Sequence, residues 1–164
     1  MSGLNASMPT AGLGRRLAAM FYDSLLLVAL YFVVTAVLLY FRDGEAIAPG
    51  NPAYLAFLVA VCWLFHVVFW RRGGRTLGMQ SWRLRLVDDD GNIPPTSRLF
   101  ARLALASVPL SLMAFGIFWV PLGLFALGYI WILFDPDGLS VHDRLSATRP
   151  VVEAPRRRSG KAGT

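Results

Sequence analysis

Asp23, His66 and Arg102 stand inside or at the edge of long apolar runs, and ionisable side chains kept in such places are costly enough to be the first suspects for function. A carboxylate there either binds a proton or a cation, or ties helices together through hydrogen bonds to Arg102, Ser107 or Tyr129. His66 is a proton relay or a satisfied interior hydrogen-bonder. Arg16 precedes Asp23 by two helical turns on the same face, about 10.5 Å of rise, so each should find its partner on another helix. Asp135, Asp137, His142, Asp143 and Arg144 crowd into the segment 134–148. Carboxylates and imidazole are metal ligands, but no second His or Cys has ligand spacing, so no metal is expected; the alternative is that His142 and Asp143 cap or pair with the basic loop 71–85.

Other chemistries lack their residues. A calcium loop begun at Asp88 would need an acid where Leu99 stands, so Asp88–Gly91 reads as a turn. Nucleophilic triads, phosphate loops and dinucleotide glycine patterns are absent, and the chain is read as a non-enzyme with no catalytic residue and no cofactor. Cys62 is the only cysteine and lies in an apolar run, which excludes an intrachain disulfide and a cysteine metal cluster.

The elements that must position these residues follow from hydropathy. Only 16% of the 164 residues are charged and 55% are hydrophobic, against about 25% charged in a soluble domain, so lipid is the expected solvent of much of the chain. Residues 17–41 form a first span containing one charge, Asp23; the stretch is too long for a cleaved signal peptide. Residues 53–70 form a second span ending in Arg71 and Arg72. In this antiparallel pair Asp23 lies about 9 Å and His66 about 6 Å from the same end, at similar depth. Residues 81–93 read as a short β/turn segment, WRLRLV in alternation followed by DDDG.

The run 98–134 crosses once or twice. Two crossings, about 98–115 and 117–134, leave every Lys and Arg except Arg42 on one side, as orientation by positive charge requires. The fold class is therefore an all-α integral membrane protein with four transmembrane helices and both termini cytoplasmic. Residues 153–164 read as a basic, disordered tail. Trp63, Trp70, Trp119 and Trp131 read as anchors near span ends or lipid faces. The net charge of +6 becomes an orientation signal that attracts anionic lipid headgroups and implies no nucleic-acid partner.

Three ordered blocks, AGLGRRLAAMFYD at 11–23, GRTLGMQSWRLRLVDDDG at 74–91 and GLSVHDRLSATRPVV at 138–152, resemble the RDD family of small, mainly bacterial, multi-span membrane proteins. The resemblance covers residues 11–152 as one transmembrane domain and implies that Arg16, Asp23 and Asp143 are the family's arginine and two aspartates. It implies a bacterial inner-membrane protein with a suggested role in transport, and names no substrate. Two functions are weighed: transport of a proton, cation or small solute, requiring a homo-oligomer because four short helices make a poor conduit alone, and a non-catalytic membrane scaffold or assembly subunit. A cavity around Asp23, His66, Arg102 and Asp143 favours the first, and a closed salt-bridge network the second.

Overall fold

The computed structural model describes residues 8–111 and 119–154. Two long helices come first, α1 (Leu13–Tyr40) and α2 (Pro52–Gly73), followed by a short helix α3 (Leu77–Ser81) and a strand β1 (Leu84–Val87). Helices α4 (Thr96–Ser111) and α5 (Trp119–Ile130) pack on each other. A 3₁₀ turn at Trp131–Leu133, a one-and-a-half-turn helix α6 (Val141–Ser146) and a strand β2 (Arg149–Val152) complete the chain.

The 28 residues of α1 rise about 42 Å and the 22 of α2 about 33 Å, each enough for a hydrocarbon core of about 30 Å. Both are apolar nearly all round and neither is buried by the rest of the chain: Phe32 is 74% exposed and Tyr40 80%. A water-soluble protein does not leave such a surface bare, whereas a lipid-solvated helix does. The two helices are linked by a 2.7 Å hydroxyl–hydroxyl bond between Thr35 and Tyr54. Asn51 caps α2 by accepting from the Tyr54 amide at 3.1 Å, with Pro52 in the first turn. Arg71 and Arg72 occupy its last turn, where cations complement the helix dipole.

The buried core lies at the end of the molecule opposite the 41–51 connector. Ala11, Ala19, Trp70, Met79, Leu84, Leu86, Leu99 and Leu103 form it. β1 and β2 pair antiparallel, Leu84 opposite Val152 through Val87 opposite Arg149. The segment before α1 joins them: the Ala11 amide donates to the Pro150 carbonyl at 2.8 Å and the Val152 amide to the Pro9 carbonyl at 3.0 Å. Three pieces of chain remote in sequence, 9–11, 74–88 and 138–153, are thereby knitted into one cap.

Several expectations change. The alternation in WRLRLV holds for buried Leu84, half-exposed Arg85 and buried Leu86, and ends at Val87, which is buried too. Residues 149–152, for which no strand was expected, form β2, and Glu153, assigned to a disordered tail, donates its amide to the Arg83 carbonyl at 2.8 Å and accepts from Arg75 at 2.6 Å. The rest of that tail, 155–164, lies outside the described residues, as does the expected break between 98–115 and 117–134. Asp88 forms the expected turn, its carboxylate accepting from the amides of Asp90 and Asn92. Helix α3 was not anticipated; Thr76 caps it by accepting from the Met79 amide at 3.2 Å.

Helix α3 sits directly against α1, and Gly78 makes the approach possible. A Cβ at Gly78 would collide with the Ala19 carbonyl oxygen and lie 2.8 Å from the Asp23 carboxyl carbon. Gly78→Ala is expected to cost about 1–3 kcal/mol by overpacking and to speed proteolysis of the 74–93 segment. Gly14→Ala, where a Cβ meets nothing within 4 Å, should leave thermal unfolding of the purified protein unchanged.

Candidate functional site

Asp143 is fully buried and sits at the third residue of α6, where its main chain and side chain close a capping box with Ser140. Its Oδ2 accepts from the Ser140 amide at 2.9 Å and from Arg16 Nη1, and its Oδ1 accepts from Arg102 Nη1. Arg16 comes from the first turn of α1 and Arg102 from the second turn of α4, so one carboxylate ties three elements. Arg16 is held further by donating through Nε to the Ala11 carbonyl at 2.7 Å and through Nη2 to the Gly138 carbonyl at 2.8 Å. Arg102 Nη1 also donates to Thr148 Oγ1 at 3.0 Å, and its guanidinium lies 5.7 Å from the centre of the Trp70 ring. Burial alone would raise the Asp143 carboxyl's pKa, but Arg102 and Arg16 outweigh it and hold the group well below the usual carboxylate range.

Asp23 is buried too, yet it is no member of this clamp. Its Oδ2 accepts from the Thr76 hydroxyl and its Oδ1 from the Gly78 amide at 2.9 Å. It therefore acts as a second cap for α3, supplied by α1, and the expected ties to Arg102, Ser107 or Tyr129 are replaced by ties to the 74–81 segment. His66 donates through Nδ1 to the Cys62 carbonyl of its own helix at 2.9 Å, which places a proton on Nδ1 and leaves Nε2 without a partner among the described residues. His142 lies beside Ser140 Oγ at 3.1 Å and 5.0 Å from the Tyr129 ring. Burial, then the nearby Arg102 charge, lower its pKa to about 3. His142 and Asp143 do not pair with the 71–85 loop; the cap is on α6 and the arginines come from α1 and α4. Asp135 is separate again, bound at the surface to Arg144 at 2.6 Å, with Asp137 on the same guanidinium at 2.9 Å.

Above the clamp is a cavity of about 360 Å³ with walls from all four long helices. Arg16, Asp23, His66, Arg102 and His142 line its polar end, and it extends to Leu27 on α1 and Cys62 on α2. Asp143 is not on its wall. Trp63 and Trp70 line it as well, and Trp70 is buried, so neither serves as a lipid-facing anchor; Trp119 and Trp131 are exposed, as anchoring requires. Thr76, Gly78, Ser140, Thr148 and Trp70 are the partners that sequence reasoning missed. One signal was available: Ser140-Val-His-Asp143 is a helix-start pattern.

A mostly helical chain with two helices long and apolar enough to cross a bilayer, closed at one end by buried charge pairs, defines a membrane-type protein. The model of the RDD family matches residues 10–147, and the chain belongs to that family. Neither curated proteins nor solved structures give a match.

Removing the Asp143 charge leaves two buried guanidiniums without a counter-ion. Asp143→Asn should cost about 3–5 kcal/mol of stability, while Asp137→Asn, whose side chain is 67% exposed, should stay within about 1 kcal/mol; thermal unfolding in lipid nanodiscs compares them. His142 stays neutral in the folded state down to about pH 3, whereas the unfolded chain protonates it near about pH 6.5. Its contribution to stability is full above the higher value and falls with decreasing pH between the two. Lowering the pH from about 7 to about 5 should therefore reduce the melting temperature more in the native protein than in His142→Gln, and equal reductions would refute this.

Proposed function

We propose that this chain is a non-catalytic, four-span protein of the bacterial cytoplasmic membrane that takes a small solute into the cavity between its helices as part of transport. The observation that carries the proposal is the cavity itself, walled by α1, α2, α4 and α5 and ending on charged groups at one end. Such an apolar recess with a few convergent polar groups is the usual form of a ligand site. A small solute is favoured over a proton or cation because both Asp23 oxygens already hold donors and Asp143 is withdrawn behind its arginines.

The strand pairing supports the topology. β1 precedes α4 and β2 follows α5, and two hydrogen-bonded strands lie on one side of a bilayer, so the chain between them crosses an even number of times. The segment before α1 is bonded to β2 and joins the same side. Among the described residues, Arg42 is the only Lys or Arg at the opposite end, which makes the capped end cytoplasmic by the positive-charge rule. Anionic headgroups are the expected partners of exposed Arg71 and Arg72, and lipid or a second copy covers the apolar α1 face. Nucleic acid has no place in this arrangement.

The scaffold reading is favoured by one observation, the closed clamp at Asp143, and access to the cavity separates the two. Single cysteines placed in a Cys62→Ser background test access with the neutral reagent methyl methanethiosulfonate and topology with the membrane-impermeant methanethiosulfonate ethyltrimethylammonium. Ala106→Cys, on the cavity wall, should react, and Glu45→Cys and Ala154→Cys should react from opposite sides of sealed vesicles. An inert Ala106→Cys would mean a closed interior and overturn solute binding in favour of the scaffold; reaction of the other two from one side would overturn four spans.

A further inference from the structure

The polar end of the cavity has charged and indole donors left over, while each carboxylate oxygen near it already holds a donor. Arg102 makes both of its hydrogen bonds among the described residues through Nη1, leaving Nε and Nη2 uncommitted on a side chain that is 9% exposed and lines the cavity. Trp70, 7% exposed and against the same guanidinium, carries a buried Nε1–H with no acceptor among the described residues. Unfilled donors in a low-dielectric site are costly, more so when one is charged. The acid on the wall, Asp23, has both oxygens occupied by Thr76 and Gly78, and Asp143 lies behind the arginines. What the free edge of Arg102 lacks is therefore an anionic partner, and a guanidinium fork suits an anionic oxygen pair best.

The other end of the cavity has opposite needs. There Leu27, Ala106 and Phe125 supply an apolar wall, continuous with Met20 and Leu103 beside the charged groups, in a space of about 360 Å³, small for a ligand pocket and suited to a slender body. We propose that the cavity binds an amphiphile with an anionic head, carboxylate or phosphate, whose head bridges Arg102 and the Trp70 indole N–H while its chain lies along Leu27, Ala106 and Phe125. This rests on the solute-binding reading of the cavity and names the chemistry of the solute. His66 lies on the same wall, where its uncommitted Nε2 is available to share a proton with the head.

The test uses the full chain in phosphatidylcholine nanodiscs and isothermal titration with dodecanoate, dodecyl phosphate, dodecanol and dodecyltrimethylammonium. The two anions should bind at least about tenfold tighter than the alcohol or the cation. Trp70→Phe removes the N–H together with part of a buried ring, so it should lower thermal stability somewhat, and it should weaken dodecanoate about tenfold while leaving dodecanol within about twofold; Ala106→Phe, which fills the chain site, should abolish binding. Arg102 is left intact because it also holds Asp143. Suppression of dodecanoate binding by phosphatidylglycerol in the disc would assign the head to a membrane phospholipid, and its absence to a free single-chain acid; both support an anionic amphiphile. Equal or tighter binding of the alcohol or the cation, lost in Ala106→Phe, would overturn the anionic head and keep solute binding. Unaltered dodecanoate affinity in Trp70→Phe would overturn the placement of the head. If no ligand of either charge responds to Ala106→Phe, both the proposal and the solute-binding reading fall.

Discussion

One buried carboxylate sets the conditions for everything around it. Asp143 is removed from water entirely, which costs several kcal/mol for an ion unless charge and hydrogen bonds replace the lost solvation. Two guanidiniums and the Ser140 amide replace it. The arginines cannot reach it unless the first turn of α1, the start of α4 and the α6 cap converge, so electrostatic compensation becomes a geometric requirement on three elements. Asp23, outside that triad, accepts from Thr76 and Gly78 and so draws α3 and the segment leading to β1 onto α1. The buried polar groups thus carry the specificity of the cap, while apolar burial around Leu84, Leu86 and Leu99 supplies its cohesion.

This division follows from where water is. Along α1 and α2 the chain buries little of itself, because lipid is as good a neighbour as another helix for Phe32 or Val33. At the capped end the same chain builds an ordinary interior. β1, the segment before α1 and β2 do so by adding extended chain to one another, which also satisfies backbone groups that no helix would satisfy. The small sheet is therefore the element that reports topology, since its strands come from either side of the α4–α5 region.

The long helices and the family were legible from residues alone because hydropathy over twenty residues and three ordered motifs are strong, local signals. Asp23, His66 and Arg102 were identifiable because charge in an apolar context stands out, and Arg16 and Asp143 because they fall in the motifs that carry the family resemblance. The pairing among them was not. Asp23 and Arg102 looked like partners because both are charged and close in depth, yet Asp23 is filled by a threonine hydroxyl and a glycine amide, groups that carry no charge signature. β2 was hidden because RPVV is four residues long and begins beside a proline; its strand character comes from β1 and Thr10, not from local propensity. Helix α3 is five residues long, below the length at which periodicity can be read.

A cavity and a closed salt-bridge network were opposed as signs of transport and of scaffolding, but the structure contains both and makes one depend on the other. Arg102 spends Nη1 on Asp143 and Thr148, which fixes the plane of its guanidinium and presents its remaining edge on the cavity side of the clamp. A free arginine on a helix would sample many rotamers and would be poorly organised to receive a head group; one pinned by a buried carboxylate has already lost that entropy in folding. Without the clamp the cavity would have no ordered polar end, and without the cavity the clamp would leave Arg102 with unfilled donors. Under the proposed solute binding, Arg16 and Asp143 act through position: they hold the wall on which a ligand would be read.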